Sequence, residues 1–235
     1  MFTKSAEFYD TIYSFKDYAA EAAQVATCVR SLRQDVRTIL DVACGTGEHA
    51  RRLAETHGFV VDGLDLDPEL LRLARLKHPA GRFFEADMRA FALDPRYDAI
   101  LCLFSSIGYL VTLDRVTSAL ECFRRHLALR GVVVVEPWFP PGVLDTTRVD
   151  RLSGSSGDTH VIRTSRVEVQ GRVSRLLFEY ELDGPGGKQH ASEVHELGLF
   201  TPDEMGRAFA AAGLVATFDL VGLSGRGLWT ALINS

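Results

Sequence analysis

Residues 39–47, ILDVACGTG, decide the fold of this chain. They form an apolar segment, typical of a buried strand, that ends in an acidic residue and a glycine turn. Gly45 and Gly47 let the backbone turn sharply and approach a ligand, which a Cβ atom at either position would obstruct. The pattern predicts a cradle for a nucleotide, with a helix beginning at the turn.

A second apolar run follows about twenty residues downstream. Residues 59–65, FVVDGLD, end in Asp65, whose carboxylate is placed to accept hydrogen bonds from both hydroxyls of a ribose. The glycine spacing, Gly45-x-Gly47-x-x-Ala50, also fits NAD enzymes. The two motifs together predict a ligand that contains a nucleoside and leave its identity open.

Two further aspartates favour one ligand over the others. Asp41 lies at the buried end of the first strand, where it would repel a pyrophosphate but can organise a loop that accepts an ammonium group. Asp87 follows the third apolar segment, 82–85, and can accept the exocyclic amine of adenine. Adenosine joined to an amino acid describes S-adenosylmethionine, which is therefore the predicted cofactor.

Composition excludes several classes of function. The 235 residues are 46% hydrophobic and 24% charged, which indicates one globular domain over residues 1–235. A net charge of -5 with scattered Lys and Arg argues against a nucleic-acid partner. Four separated cysteines, no leader segment and no bilayer-spanning run predict a cytoplasmic protein without a membrane partner. His190 and His195, five apart in a strand-like stretch, point to opposite faces, so no metal site is expected.

Strand and helix patterns alternate from Thr38 to Pro137, after a leading helix over 17–32. Predicted strands lie near 38–43, 59–65, 82–85, 98–104 and 132–135, and predicted helices near 47–56, 67–78 and 114–129. Strands this apolar are buried on both faces, so an α/β fold with a largely parallel sheet is expected. A capping box at Thr201 opens a further helix, and two strands near 214–220 and 227–233 complete the sheet.

Residues 138–198 follow a different pattern, with alternating polar and apolar residues and short turns. This pattern predicts an inserted antiparallel layer, with flexible turns at 153–157 and 184–187. A layer added after a parallel strand is well placed to cover the mouth of the cofactor site. We therefore expect the insertion to bind the substrate.

Six segments resemble a known family. They are residues 8–13 (FYDTIY), 16–18 (KDY), 40–47 (LDVACGTG), 104–109 (FSSIGY), 132–138 (VVVVEPW) and 224–228 (SGRGL). With them the chain is similar to the class I methyltransferases, and within these to the N,N-dimethyltransferases that act on TDP-linked aminosugars in desosamine and mycaminose biosynthesis. The resemblance implies a Rossmann-like fold with a seven-stranded sheet, an antiparallel insertion after the fifth strand, and a homodimer. Two departures are Tyr109, where some relatives carry His, and a shorter loop between Tyr13 and Lys16.

The resemblance also implies roles for individual residues. The implied cofactor residues are Tyr18, Ala43, Gly45, Gly47, Asp65, Leu66, Asp87, Met88 and Leu103. The implied substrate residues are Trp138, as an aromatic wall, and Arg175 and Arg226, as pyrophosphate partners. Tyr13, Tyr109 and Glu136 are the candidate catalytic residues, which would orient the amine or pass its proton to water.

Three other functions stay open on the sequence alone. The nearest is methylation of a hydroxyl on a sugar or another small molecule. The second is an NAD-dependent oxidoreductase, which the glycine spacing permits, and the third is a binding subunit that keeps the fold without turnover. Structural roles are also open for Tyr13 and Tyr18 as anchors of the leading helix, and for Arg175 as a surface residue.

Overall fold

The structure is a computed structural model that describes residues 8–233. Its strands are β1 (Thr38–Val42), β2 (Val60–Asp65), β3 (Phe83–Glu85), β4 (Tyr97–Cys102), β5 (Leu127–Val135), β6 (Val149–Ser156), β7 (Thr159–Gln170), β8 (Val173–Gly184), β9 (Gly187–Gly198), β10 (Leu214–Asp219) and β11 (Leu228–Ile233). Its helices are α1 (Tyr9–Ile12), α2 (Tyr18–Leu32), α3 (Glu48–His57), α4 (Pro68–Lys77), α5 (Leu113–His126) and α6 (Pro202–Ala211), with a 3₁₀ helix at Ser106–Leu110.

The main sheet has seven strands in the order β10-β11-β5-β4-β1-β2-β3. The five strands from β3 to β5 are parallel, while β11 pairs antiparallel with both β5 and β10. Parallel strands end at one edge of the sheet, so Asp65 at the end of β2 and Glu136 after β5 share that edge with the turn after β1. Ligands of open α/β sheets bind outside this edge. The predicted fold class is confirmed.

Helices cover both faces of the main sheet. One face packs α5 and α6 through Phe123 and Phe209 against β5 and β11, and the other packs α2 and α3 through Val29 and Leu53 against β1 and β4. Residues 132–135 of β5 are fully buried, as their valine run indicates. No helix among residues 8–233 has both the length and the apolar character needed to cross a membrane.

The end of α5 differs from the prediction. The helix ends at His126, three residues before the predicted end at 129, and β5 begins at once with Leu127. The buried His126 ring bonds to the Cys122 carbonyl at 2.8 Å and to the Leu93 amide at 3.0 Å. These contacts tie the last helical turn to a loop 33 residues away, which the local pattern does not reveal.

The insertion forms a second, fully antiparallel sheet in the order β6-β7-β8-β9. The glycine and serine stretch at 153–156, predicted as a turn, instead continues edge strand β6, and only 157–158 turn the chain. A Cβ atom on Gly154 would lie 2.6 Å from Thr11 Cγ2, so this glycine lets the leading segment, residues 8–18, lie directly on the strand. The predicted antiparallel architecture is confirmed, and its role in binding substrate stays a prediction.

Candidate active site

Three cavities meet at the carboxyl edge of the main sheet. The outer cavity, of about 670 Å³, lies between the leading segment, the loop after β4 and the second sheet. Arg163, Phe178 and Trp138 are on its wall. Two smaller cavities are each named after an aspartate on the wall: the Asp65 cavity, about 210 Å³, and the Asp41 cavity, about 40 Å³. Ala43 and Gly45 of the glycine turn line both. Tyr9 and Ser106 line all three, so the three spaces converge at these two residues.

The glycine turn has the geometry that the sequence indicates. Gly45 and Gly47 have φ of +56° and +75°, in the left-handed region that favours glycine, and α3 begins directly after Gly47. Nothing lies within 4 Å of a Cβ placed on Gly45, which leaves room for a ligand, whereas a Cβ on Gly47 would lie 2.9 Å from Ala74 Cβ. Gly45 therefore faces the cavities and Gly47 serves the packing of the turn on α4.

Asp65 lies on the wall of the cavity named after it. Its Oδ2 accepts the Gly45 amide at 2.8 Å and its Oδ1 accepts the Asp67 amide at 3.0 Å. Burial raises its pKa, against the lowering effect of these two bonds. Each carboxylate oxygen accepts more than one hydrogen bond, so both can still accept ribose hydroxyls. The side chain that caps α4 is Asp67, which accepts the Glu69 amide at 2.9 Å.

Asp41 is 2% exposed and lines the smallest cavity. Among residues 8–233, no hydrogen-bond donor reaches its Oδ2 atom. Burial raises its pKa to about 7, and the neighbouring Asp65 adds to the effect while His49 opposes it. An unpartnered buried carboxylate is costly unless a ligand compensates it. The α-ammonium group of S-adenosylmethionine supplies both the charge and the donors that Asp41 lacks, so these residues fit the predicted cofactor.

Asp87 is placed differently from the other two aspartates. Its carboxylate binds the Arg89 guanidinium, with an Oδ2–Nη2 distance of 2.5 Å, and accepts the Arg89 amide at 2.9 Å. This pairing lowers its pKa. The neighbouring Ala86 and Met88, and not Asp87, line the Asp65 cavity. The predicted contact of Asp87 with adenine therefore has no support from the geometry, whereas the one predicted for Met88 does.

The leading segment closes the site from above the glycine turn. Asp10 accepts the Thr46 hydroxyl at 2.7 Å and pairs with Lys77 Nζ at 2.5 Å. Tyr18 lines the Asp41 cavity, and Tyr13 lines the outer cavity with its hydroxyl accepting from Arg163 at 2.8 Å. Both tyrosines therefore face the site, as predicted, while they also anchor the segment.

Glu136 is 1% exposed and is surrounded by donors. It accepts the Phe104 amide at 2.7 Å, the Ser224 hydroxyl at 2.5 Å and an Arg226 nitrogen at 3.3 Å. It lines none of the three cavities. The structure therefore gives Glu136 the contacts of a positioning residue, instead of the direct access to an amine that its predicted catalytic role requires.

Two of the three predicted substrate residues line the outer cavity, and the third does not. Trp138 and Arg226 line the outer cavity, and the Trp138 indole donates to Ser174 Oγ at 2.8 Å. Arg175 instead pairs with Glu168 at 3.3 Å and Glu196 at 3.5 Å on the second sheet, away from the cavity walls. For Arg175 the surface role is the one that the structure supports.

Several residues on the cavity walls escaped the sequence reasoning. They are Tyr9, Ser106, Arg148, Arg163, Arg166 and His195. Arg163 is only 6% exposed, and its guanidinium lies 4.9 Å from the Tyr13 ring and 4.5 Å from the Phe178 ring. An arginine within an alternating strand indicates a solvent-facing position by default, and only the pairing of β7 with β8 turns this one inward. Among residues 8–233, no cluster of His, Cys, Asp and Glu is arranged to hold a metal ion.

Comparison with known proteins agrees with this geometry. Residues 39–131 match the family described as a methyltransferase domain. The chain is 42% identical over 230 residues to the dTDP-3-amino-3,6-dideoxy-alpha-D-glucopyranose N,N-dimethyltransferase of Streptomyces fradiae, covering 97% of this chain and 90% of the relative.

Two solved structures are similar along nearly the whole chain. The sugar N-methyltransferase KedS8 from a Streptoalloteichus species has a TM-score of 0.90 at 35% identity, covering 97% of this chain and 93% of that one. The amino pentose methyltransferase CalS10 from Micromonospora echinaspora, solved with S-adenosylmethionine bound, has a TM-score of 0.82 at 37% identity, covering 93% and 92%.

The fold and the paired cavities define a class I methyltransferase that uses S-adenosylmethionine, which confirms the predicted enzyme class and cofactor. The glycine motif therefore belongs to a methyltransferase and not to an NAD-dependent oxidoreductase. Within this class, the chain belongs to the family of dTDP-aminosugar N,N-dimethyltransferases.

Proposed function

We propose that this protein transfers methyl groups to the amino nitrogen of a TDP-linked aminodeoxysugar, twice per molecule, during the assembly of an antibiotic sugar. One observation carries the proposal: a large cationic cavity opens onto the two aspartate cavities at Tyr9 and Ser106. The names of its relatives point to the same substrate class.

The two aspartate cavities are proposed to hold the cofactor. Seven of the nine predicted cofactor residues line them, namely Tyr18, Ala43, Gly45, Asp65, Leu66, Met88 and Leu103. When bound, S-adenosylmethionine supplies a methyl group on a positively charged sulfur. Asp41 and Asp65 are proposed to fix its ammonium and ribose ends, which leaves the region of Tyr9 and Ser106 for the reacting centre.

The outer cavity is proposed to hold the nucleotide sugar. Its volume of about 670 Å³ lies within the usual range of small-molecule sites, roughly 300–1,000 Å³. Its wall carries five cationic residues, Lys16, Arg148, Arg163, Arg166 and Arg226, against three acidic residues, Glu21, Asp145 and Asp150. Guanidinium groups bind phosphate oxygens through paired hydrogen bonds, which suits a diphosphate.

The second sheet contributes cationic and aromatic residues to this cavity. Arg163 and Arg166 belong to β7 and Phe178 to β8, while Trp138 and Phe139 lie at the start of the insertion. Aromatic faces beside cationic groups can stack on a thymine base. We therefore propose that residues 138–198 select the substrate, as expected from their place after β5.

Positioning is proposed to supply most of the catalysis. Holding reacting groups in line within a closed site can lower a barrier by about 7–11 kcal/mol. Tyr13 is fixed by Arg163 on one side and by the Phe104 ring, 5.1 Å away, on the other. Its hydroxyl oxygen is thus held at the cavity wall, where it can orient an amine.

Mass spectrometry of the product tests the proposal. The protein is incubated with methyl-labelled S-adenosylmethionine and a panel of TDP-sugars that carry the amine at carbon 3 or carbon 4. We expect one amino isomer to gain two labelled methyl groups on nitrogen. Turnover on hydroxyl acceptors alone would establish the O-methyltransferase alternative, and cofactor binding without any turnover would establish a binding subunit.

We also propose that the protein is a cytoplasmic homodimer. A homodimer and a cytoplasmic location follow from the resemblance and from the separated cysteines. Sedimentation of the purified protein measures the first, and fractionation of producing cells measures the second.

A further inference from the structure

A chain of polar side chains connects the cavities to the second sheet. The Tyr109 hydroxyl lies 3.0 Å from His195 Nδ1, and His195 Nε2 lies 3.3 Å from Glu193 Oε2. The Tyr180 hydroxyl donates to the same Glu193 oxygen at 3.3 Å. The His195 side chain is fully buried, so the ring is held in one orientation by these groups and by the Phe178 ring, 5.0 Å away.

The hydrogen bonds to Glu193 and Tyr109 indicate which ring nitrogen of His195 carries the proton. A carboxylate only accepts hydrogen bonds, so Glu193 holds the proton of a neutral His195 on Nε2. Nδ1 then carries the lone pair and accepts the Tyr109 hydroxyl. The order along the chain is a Tyr109 O–H donor, an imidazole that can take a proton at Nδ1, and a carboxylate that stabilises the resulting imidazolium.

The hydrogen-bonded series Tyr109–His195–Glu193 begins at the reacting region. Tyr109 lines both the outer cavity and the Asp65 cavity, and His195 lines the latter together with Tyr9 and Ser106. Desolvation of the Tyr109 hydroxyl raises its pKa, with smaller contributions from Tyr13, Glu193, Tyr180 and Asp65. Tyr109 therefore stays protonated at neutral pH, and it can accept a proton only by giving its own to His195 in the same step.

Within residues 8–233, charged and titratable groups from several other elements surround the pair. They are Tyr9 and Tyr13 of the leading segment, Asp65 at the end of β2, Tyr180 on β8, and Arg163 on β7, whose guanidinium lies 4.5 Å from the Phe178 ring. The Phe178 ring lies 5.0 Å from the His195 ring, and Glu193 Oε2 lies 3.3 Å from His195 Nε2. The ring is therefore in direct contact with a carboxylate.

We propose that His195, held by Glu193, takes the proton of the substrate ammonium through the Tyr109 hydroxyl. The proposal rests on the proposed function, because an amine substrate arrives protonated and must be neutral to attack. The ammonium nitrogen gives a proton to the Tyr109 oxygen, the Tyr109 hydroxyl proton passes to His195 Nδ1, and the products are a neutral amine and an imidazolium beside Glu193. His195 and Glu193 are positioning residues, which act through Tyr109.

The need for this relay recurs in a dimethylation. The nitrogen becomes positively charged again after the first methyl transfer, so a second proton has to leave before the second transfer. Between the two transfers, His195 has to return the first proton through the Tyr109 hydroxyl to solvent in the cavity. An aliphatic ammonium has a pKa of about 10, as lysine does, and only a small fraction is neutral at pH 7 without an acceptor. A proton acceptor in contact with the site matters at both transfers.

The test compares pH profiles of three variants with that of the wild-type enzyme. His195→Asn keeps a polar side chain but cannot take a proton, Tyr109→Phe interrupts the chain at its start, and Glu193→Gln removes the charge at its end. We expect the rate of methylation at saturating substrates to fall by about 100-fold at pH 7 in His195→Asn. The deficit should shrink as the pH approaches 10, because solvent then deprotonates the amine.

His190→Asn is the matched control, since His190 lies on the exposed side of the same strand. It should leave the rate unchanged at every pH. A deficit of His195→Asn that is equal from pH 6.5 to 10, with unchanged melting temperature and cofactor affinity, would show that His195 only packs the wall and would overturn the proposal.

A second readout needs no turnover and covers the case in which His195→Asn fails to fold. ¹⁵N NMR of the wild-type enzyme should show His195 protonated on Nε2, and Glu193→Gln should weaken that preference. An Nδ1-protonated His195 in the wild-type enzyme would refute the relay directly. If the wild-type enzyme methylates no aminosugar, the proposed function fails, which is distinguishable from a failed relay because the wild-type rate is measured first.

Discussion

Replacing Asp41 with asparagine should make the cofactor-free protein more stable at alkaline pH and less stable at acid pH. The buried carboxyl has a pKa of about 7, against 3.8 for an ordinary aspartate. A folded-state pKa above the unfolded one means that the folded state holds the proton more tightly, so stability is lost as the pH rises from about 4 to about 7. At ~1.4 kcal/mol per pH unit, this difference costs roughly 4 kcal/mol above pH 7.

The asparagine side chain removes that cost but leaves its own amide buried without a full set of partners, which costs about 1–3 kcal/mol. The free energy of unfolding of Asp41→Asn should therefore exceed that of the wild-type protein by about 1–3 kcal/mol at pH 8 and fall below it at pH 4. Urea denaturation without cofactor, from pH 4 to pH 8.5, measures the free energy of unfolding of both proteins. The control is Asp183→Asn at an exposed position, whose free energy of unfolding should change with pH as that of the wild type does.

At pH 8 with S-adenosylmethionine bound, the wild-type protein should be more stable than Asp41→Asn, the reverse of the order without cofactor. The unpartnered Asp41 oxygen is proposed to meet the ammonium group, and loss of a charged hydrogen bond of about 1.5–3 kcal/mol weakens binding by roughly 10- to 100-fold. Calorimetry of both proteins gives the two dissociation constants. Stability curves that stay parallel from pH 4 to pH 8.5, or equal cofactor affinities, would refute the account of Asp41 as a charge held for the ligand.

Three further variants probe the remaining parts of the site. Asp65→Ala should weaken S-adenosylmethionine binding by roughly 10- to 100-fold in calorimetry, because it removes the acceptor for the ribose and the partner of the Gly45 amide. Arg163→Met should raise the KM for the nucleotide sugar by about tenfold or more in a methylation assay while cofactor affinity stays constant, since a guanidinium–phosphate contact is worth about 1.5–3 kcal/mol. Lys77→Met should speed cofactor dissociation by up to about fivefold in stopped flow, because the partly exposed Asp10–Lys77 ion pair holds the leading segment over the site and contributes about 0–1 kcal/mol. An unchanged rate of dissociation would show that this pair does not hold the segment.

The parts of the site that the sequence predicted are those set by backbone geometry over a few residues. The turn at Gly45 and Gly47 needs positive φ, and Asp65 ends a strand that is parallel to the one before the turn, so their proximity follows from the fold. Asp87 shows the limit of that reasoning. Arg89, two residues further along, captures its carboxylate, and no periodicity of the sequence reveals which of two available partners a side chain selects.

The site residues that the sequence did not predict are placed in the site by contacts between distant parts of the chain. The sequence placed His195 on the face of β9 opposite to His190, which is correct. Its partner Tyr109 is 86 positions away, and no local pattern connects the two residues. Arg163 was missed for the same reason, because its inward orientation depends on the register of β7 and on Tyr13, 150 positions away.

Glu136 links the two halves of the site even though it lines neither. It directly follows β5, whose last four residues are valines, so its position relative to the glycine turn is fixed by the sheet. One carboxylate oxygen holds the Phe104 amide, next to Leu103 on the wall of the Asp41 cavity, and the other holds Arg226 on the wall of the outer cavity. A buried ion pair contributes little net stability, but breaking one half leaves an uncompensated charge. The pair is better explained by its effect on position. It fixes the wall of the outer cavity relative to the wall of the Asp41 cavity, because a residue of each wall is then held by the end of the same strand.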